Sequence, residues 1–287
     1  MMPPYSVIDA HIHIQPWEML HEGARAALQR GRDTEQTMEM MRDPDALVRY
    51  MDAHHIEQVA IINYAAPGVM GFEEAGVNEF SSRYATAHPD RIIPFGGIDP
   101  HNPDDIDSRL DHMIDDLGLR GIKIHPPHQL LYPNAYRDGG NVESLAVVYQ
   151  KASDARIPVM IHTGTSVFPG ARNKYADPMA LDDVAVDFPN LTIILAHGGR
   201  PIWMDSAYFL LRRHPNIWFD ISSVPPSRLL HYFPWLTRVA DKTIFGSDWP
   251  GPGVPSMHEN IEAFYELELP EEMKQKILRE NARRLFG

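Results

Sequence analysis

Eight short apolar runs, each followed by a stretch with helical spacing, succeed one another along this 287-residue chain. Four of the runs finish on histidines or an aspartate that form a candidate cluster. His11 and His13 close Val7-Ile8-Asp9-Ala10-His11-Ile12-His13, and His162 closes Pro158-Val159-Met160-Ile161-His162. His197 closes Leu191-Thr192-Ile193-Ile194-Leu195-Ala196-His197, and Asp248 closes Thr243-Ile244-Phe245-Gly246-Ser247-Asp248. The other runs span residues 58–64, 92–98, 121–125 and 216–222. Strands separated by crossover helices pair in parallel, so the pattern predicts an α/β fold, a (β/α)8 TIM barrel filling residues 1–287 as a single domain. Polar residues at strand ends then meet at one rim, where such barrels do their chemistry. An open doubly wound sheet is the competing architecture. To bind a dinucleotide it needs a glycine-rich phosphate loop after the first strand, and this chain has His-Ile-His there.

The intervening segments carry helix signals. Asp43-Pro44 reads as a cap followed by proline at the first helical position, with Leu47, Tyr50 and Met51 on one face. Asn102-Pro103 repeats the device ahead of Ile106, Leu110, Ile114 and Leu117, and Gly118 ends that helix. Residues 271–286 form the last predicted helix. Residues 15–42, with Trp17, Met19, Leu20, Met38, Met40 and Met41, are a short, partly helical insertion after the first strand. It lies either over the barrel mouth or against its side. A second long loop covers residues 126–141.

The net charge of −13 argues against a nucleic acid or an anionic membrane as partner, while leaving room for a locally basic pocket. The chain has no cysteine, so any metal must be held by imidazole or carboxylate. No basic, apolar leader opens the sequence, and no apolar run reaches the roughly 18 residues that span a bilayer. A cytoplasmic protein is expected.

His11 and His13 are two apart, which in a strand points both rings the same way. Together with His162 and Asp248 they make a set of three imidazoles and a carboxylate. Such a set suits one divalent ion, Zn²⁺ first and Mn²⁺, Fe²⁺ or Co²⁺ as alternatives. A buried polar network without metal would leave many imidazoles short of partners.

The motifs Asp9-Ala10-His11-Ile12-His13, Gly121-Ile122-Lys123-Ile124-His125-Pro126, Ile161-His162-Thr163-Gly164, Ala196-His197-Gly198-Gly199, Phe245-Gly246-Ser247-Asp248-Trp249-Pro250 and the ending Glu280-Asn281-Ala282-Arg283-Arg284-Leu285-Phe286-Gly287 together resemble the amidohydrolase superfamily. The branch they resemble contains aminocarboxymuconate-semialdehyde decarboxylase and related small metal-dependent hydrolases. The resemblance implies that His11, His13, His162 and Asp248 bind the ion. It also implies that His197 acts as acid/base or oxyanion partner, with Asp248 sharing proton transfer. It further implies that Lys123, if carboxylated, bridges a second ion held with His162 and His197. The plain alternative is an amine paired with Asp9 or Asp248. The decarboxylase relatives generally lack this lysine, so the expectation is a hydrolase whose activated water attacks a lactone, ester or amide. A non-oxidative decarboxylase or a hydratase of an unsaturated or aromatic acid is the alternative, and a non-catalytic scaffold the minor one.

On the substrate side, Arg200 follows His197-Gly198-Gly199, and Arg172 lies with Asn173 and Lys174 beyond the fifth strand. Either arginine suits a substrate carboxylate. His125 shares a face with Lys123 and is placed near the substrate, while His128 reads as a loop residue. Trp17, Tyr64, Trp203 and Trp249 are candidates to pack a flat substrate. Asp220 and Ser222 are expected to hydrogen-bond within the rim, and His54, His55, His88 and His214 to be surface or capping residues. The expected partner is a small anionic substrate, and relatives of this kind often form homodimers.

Overall fold

The computed structural model describes residues 1–29, 34–137 and 139–287. Eight strands pair in chain order, all in parallel: β1 Val7–Ile12, β2 Ile56–Ile61, β3 Ile92–Gly96, β4 Gly121–Ile124, β5 Val159–His162, β6 Ile193–Ala196, β7 Ile217–Asp220 and β8 Thr243–Ile244. The ring closes through Ala10 N–H to Phe245 O at 2.9 Å, Asp248 N–H to His11 O at 2.8 Å and a bridge between Ile12 and Trp249. The predicted TIM barrel is therefore present. Most strands are shorter than their apolar runs. Residues 245–247 continue from β8 outside the ladder, and Asp248 turns at the rim through a φ of 67°.

Inside the barrel, Ile8, Ala10, Ala60, Ile93, Phe95, Met160, Ile194 and Ile244 form a tight inner cluster. Its floor is the terminal helix Asn281–Phe286. Phe286 meets Phe95 edge to face at 6.0 Å, and the Arg120 guanidinium donates to the Phe286 carbonyl. Asn281 Nδ2 donates to Ala240 O and Thr243 O, both at 2.7 Å, tying the plug to β8. Crossover helices cover the outside in the usual way. The last predicted helix is present but interrupted, with a wider turn over Lys276–Glu280 between Glu271–Gln275 and Asn281–Phe286.

The helix signals divide. Asp43 caps Pro44–Ala53, its carboxylate accepting from Asp45 N–H at 2.9 Å. Asn102 does not cap its helix. Its side chain accepts from Asp104 N–H at 3.1 Å, and the helix Ile106–Asp111 starts only after Asp105 turns through φ 47°. A local turn satisfied the asparagine before the helix began. His214, expected at the surface, is buried against Asp182 at 2.7 Å, since the chain after the helix Met204–Arg213 folds inward there.

The insertion does two things. Trp17, Leu20, Met40 and Met41 pack in the outer core, and Tyr84 donates to Met40 O, so most of it lies on the barrel side. Gln15 and Leu28 reach the mouth. Residues 30–33 of it lie outside the described residues. The long loop after β4 contains a short helix, Pro126–Gln129. Among the described residues no helix is long and apolar enough to cross a membrane.

Candidate metal centre and active site

β1 carries an irregularity that sets the site. Asp9 pairs with Val59 but Ile12 with Ile61, so three steps on one strand match two on the other. Ile8 and Ala10 belong to the inner cluster, whereas His11 and His13 turn toward the rim. The extra residue resets the parity, as bulges next to active sites do.

Each rim imidazole is oriented by an acceptor on its far side. His11 Nδ1 donates to Asp220 Oδ2 at 2.5 Å, with both groups fully buried. His13 Nδ1 donates to the Ile62 carbonyl at 2.7 Å, and His197 Nδ1 to the Ser222 carbonyl at 2.9 Å. The two carbonyls can only accept and the Asp220 carboxylate accepts likewise, so in all three rings the proton is drawn to Nδ1 and Nε2 keeps a lone pair. These lone pairs collect around Asp248. His13 Nε2 lies 3.0 Å and His11 Nε2 3.4 Å from its Oδ1, and His11 Nε2 has no hydrogen bond of its own. Lone pairs facing a carboxylate oxygen require a proton or a cation between them. A divalent ion meets that need for several nitrogens at once, so the residues fit a metal.

His11, His197 and Asp248 are a group whose ligand atoms all lie within 4.8 Å of one another. They form a His/Asp site able to hold a metal. His13 and His162, expected as ligands, stand beside that group rather than in it. His162 donates through Nε2 to Gly164 O at 3.1 Å, which leaves Nδ1 as its available atom, and its ring lies 4.7 Å from that of His197. His197, expected as acid/base or oxyanion partner and as a ligand only of a second ion, comes within ligand reach of His11 and Asp248.

Burial dominates the electrostatics. It pushes His197 down to about 3 and holds His11, His125 and His162 well below the usual imidazole range, so these rings are neutral at pH 7. For Asp248 burial alone would raise the carboxyl. The hydrogen bond with His13 and the ring of imidazoles facing it outweigh burial and keep the group anionic.

Above these residues opens a cavity of about 290 Å³. One wall is polar, with His13, Lys123, His125, His162, His197 and Asp248. The apolar part of the lining includes Met70, Phe168, Pro201 and Tyr232. Lys123 is 1% exposed, and its Nζ makes no hydrogen bond, so the expected pairing with Asp9 or Asp248 is not formed. Asp9 instead accepts from Ser247 N–H at 2.8 Å.

Arg200 reaches the cavity and donates to Ser223 Oγ, while its Nε has no partner. Arg172 does not reach it. Its side chain is exposed, and its backbone N–H is spent on Pro127 O, which points that loop outward. Tyr64 and His125 line the cavity. Trp17 and Trp249 do not; both are buried in the outer core, where Trp249 bridges β1 to the end of β8. His128 is no loop bystander. It is 3% exposed and stacked on His125 at 3.5 Å. Gln15, Ser166 and Ser223 line the cavity without any motif to mark them, because each sits on a loop with no periodic pattern.

The Amidohydrolase family profile matches residues 8–287. The chain belongs to the amidohydrolase family. Among curated relatives of this amidohydrolase, the gamma-resorcylate decarboxylase of Rhizobium sp. (strain MTP-10005) is 25% identical over 290 residues, covering 84% of this chain and 86% of the relative. The same enzyme of Rhizobium radiobacter matches equally in identity and coverage. Solved structures share the fold. An uncharacterised TIM-barrel protein from Bordetella bronchiseptica superposes with a TM-score of 0.73 at 22% identity, covering 98% of each chain. A 5-carboxyvanillate decarboxylase from Novosphingobium aromaticivorans, complexed with manganese, gives 0.67 at 16% identity, covering 99% of this chain and 96% of the other. The expectation of a hydrolase is overturned by these relatives, since the curated ones are decarboxylases.

Proposed function

We propose that this amidohydrolase is a metal-dependent, non-oxidative decarboxylase of a small hydroxylated aromatic carboxylic acid. The observation that carries the reading is the match to two gamma-resorcylate decarboxylases along 84% of the chain. The cavity supports it. About 290 Å³ is at the small end of ligand pockets and suits one substituted ring. The apolar lining takes the ring face, while Lys123 and Arg200, both lacking a full set of partners, offer positive charge to a carboxylate.

His11 and Asp248 are the core of the proposed site for one divalent ion, with His197 within ligand reach and His13 and His162 beside them; manganese, as in the Novosphingobium enzyme, and zinc both suit such a set. When bound, such an ion orients the substrate and stabilises negative charge on its oxygens. The chain's own residues handle the proton. Asp248 is a carboxylate and His197 is neutral in the free site, so neither carries a spare proton before substrate arrives. A phenolic acid brings one on its hydroxyl. Asp248 accepts it and returns it to the ring carbon that bears the carboxylate. The carbon–carbon bond then breaks, its electron pair passes to the ring, CO₂ leaves, and the product departs as a phenolate. His197, fixed by the Ser222 carbonyl, keeps Nε2 aimed at that transfer.

The test is CO₂ release from 2,6-dihydroxybenzoate, 5-carboxyvanillate and related acids by manganese- or zinc-loaded protein, with lactones as controls. Release of CO₂ with loss of the carboxylate supports the proposal. Lactone opening without CO₂ from any acid would overturn it.

A further inference from the structure

The loop after β5 forms the outer edge of the cavity through Ser166, Val167 and Phe168. Its ends are pinned. Thr165 N–H donates to Arg200 O at 3.0 Å, and Arg172 N–H donates to Pro127 O at 2.9 Å. Within the loop Asn173 clasps Ser166, accepting from its N–H at 2.8 Å and donating to its carbonyl at 3.2 Å, and Val167 is 74% exposed. One strong anchor comes from the barrel side. His128 uses both ring nitrogens, Nδ1 in a 2.9 Å hydrogen bond with the Tyr64 hydroxyl and Nε2 in a 2.8 Å hydrogen bond with Ser166 Oγ. The ring faces are also occupied. His125 stacks at 3.5 Å and Phe168 meets it edge-on at 5.4 Å.

The support beneath His128 is itself rigid. Gln129 Nε2 donates to Ala65 O and to Ile98 O, both at 2.9 Å, so the turn is nailed to the ends of β2 and β3. Gln129 Oε1 accepts from His125 N–H at 2.9 Å. A buried imidazole held at both nitrogens is an expensive way to fill space. It is an effective way to fix a wall at a distance, since one ring sets the relative position of two loops.

We infer that His128 is a positioning and specificity-determining residue: by joining Tyr64 to Ser166 it fixes the wall of Ser166, Val167 and Phe168 and so sets which ring substituents the cavity admits. This rests on the aromatic-acid reading above for the identity of the ligand. His128 touches no reacting atom. Its effect falls on binding and discrimination rather than on the chemical step.

The test uses manganese-loaded protein with His128→Phe, which keeps the stack and removes both hydrogen bonds of the imidazole, and Ser166→Ala, which removes the one to Ser166 together with the 3.3 Å bond from Phe168 N–H. Salicylate and its 4- and 5-methyl derivatives are titrated by calorimetry, and amide hydrogen exchange is followed across residues 163–173. The expected result is binding of salicylate weakened about tenfold in His128→Phe, with smaller differences among the three acids. Ser166→Ala should move the same way, and the double variant should lose less than the sum of the two single variants because their shared bond is lost only once. Exchange at the Ser166 and Phe168 amides should quicken, while that in β5 stays unchanged. For any acid that is decarboxylated, KM should rise while kcat stays within about twofold. Unchanged loop exchange in His128→Phe, or a fall in kcat at constant affinity, would overturn the inference. If His128→Phe does not fold, Ser166→Ala reads the same bond from a half-buried position. If no acid is decarboxylated, the proposed function fails on its own, and the exchange and binding measurements still decide this one.

Discussion

Replacing Lys123 by methionine should make the metal-free protein more stable. The Lys123 ammonium sits at the end of β4, 1% exposed, with no hydrogen bond to Nζ. Burial pulls the amine from 10.5 down to about 8, against the opposing pull of Asp220 and Asp248. At 1.36 kcal/mol for each pH unit, carrying the charge in the folded chain costs about 3 kcal/mol near neutral pH. Methionine fills a similar volume without that cost. Allowing for local relaxation, Lys123→Met should gain about 2 kcal/mol at pH 7, or a Tm higher by roughly 4–8 °C in a chain of this size. The pH dependence has a definite sign. The folded amine is more acidic than the unfolded one, so the cost is complete below about pH 8 and fades as pH rises from there toward 10.5. The gap between variant and wild type should therefore narrow between pH 7 and about pH 9.5. Urea denaturation of chelator-treated protein at both values, followed by circular dichroism, measures it. A less stable variant, or a gap that does not change with pH, would show that Nζ is paired in solution and that the reasoning fails. Activity should fall in the same variant, because an unpaired charge kept at such a cost is kept for a ligand.

Asp220→Asn removes the carboxylate that orients His11, and metal affinity should drop about tenfold to a hundredfold with unchanged circular dichroism, as measured by competition with a chelator. Gly198→Ala should lose about 3 kcal/mol in urea denaturation. Its φ is +61°, and a Cβ there would stand 2.7 Å from both Phe219 and Phe233. Burial acts to raise the Glu57 carboxyl, but bonds from Ser6 and Arg283 and the charges of Arg283 and Arg279 prevail and hold it below the usual carboxylate range. That stabilisation is complete above the unfolded carboxylate's titration and disappears as pH falls through the folded one. Glu57→Gln should therefore lower Tm at pH 7, with the difference from wild type closing below about pH 4.

The barrel was legible because its signals are local. A run such as Leu191–Ala196 is apolar throughout since a parallel strand in a barrel is buried on both faces, and the strand-end histidines follow from the same short-range alternation. Asp43-Pro44 is readable for a similar reason: a cap and its helix are neighbours in sequence. Asn102-Pro103 has the same letters and another outcome, because its side chain was satisfied two residues on.

The site divides along the same line. Which residue types gather at the rim, and that they suit a metal, was contained in the sequence. Their division of labour was not. The bulge in β1, the Asp220 carboxylate on His11 and the carbonyls behind His13 and His197 decide where each lone pair points, and every one of these partners lies about 50 or more residues away or on another strand, save Ser222 at 25. Arg172 and Arg200 looked alike as loop charges until the backbone aimed one outward and the other into the cavity. Residue chemistry is carried by the chain itself. Direction, distance and burial arise only when remote segments pack, and those three set the protonation, the reach and the fit of the candidate site.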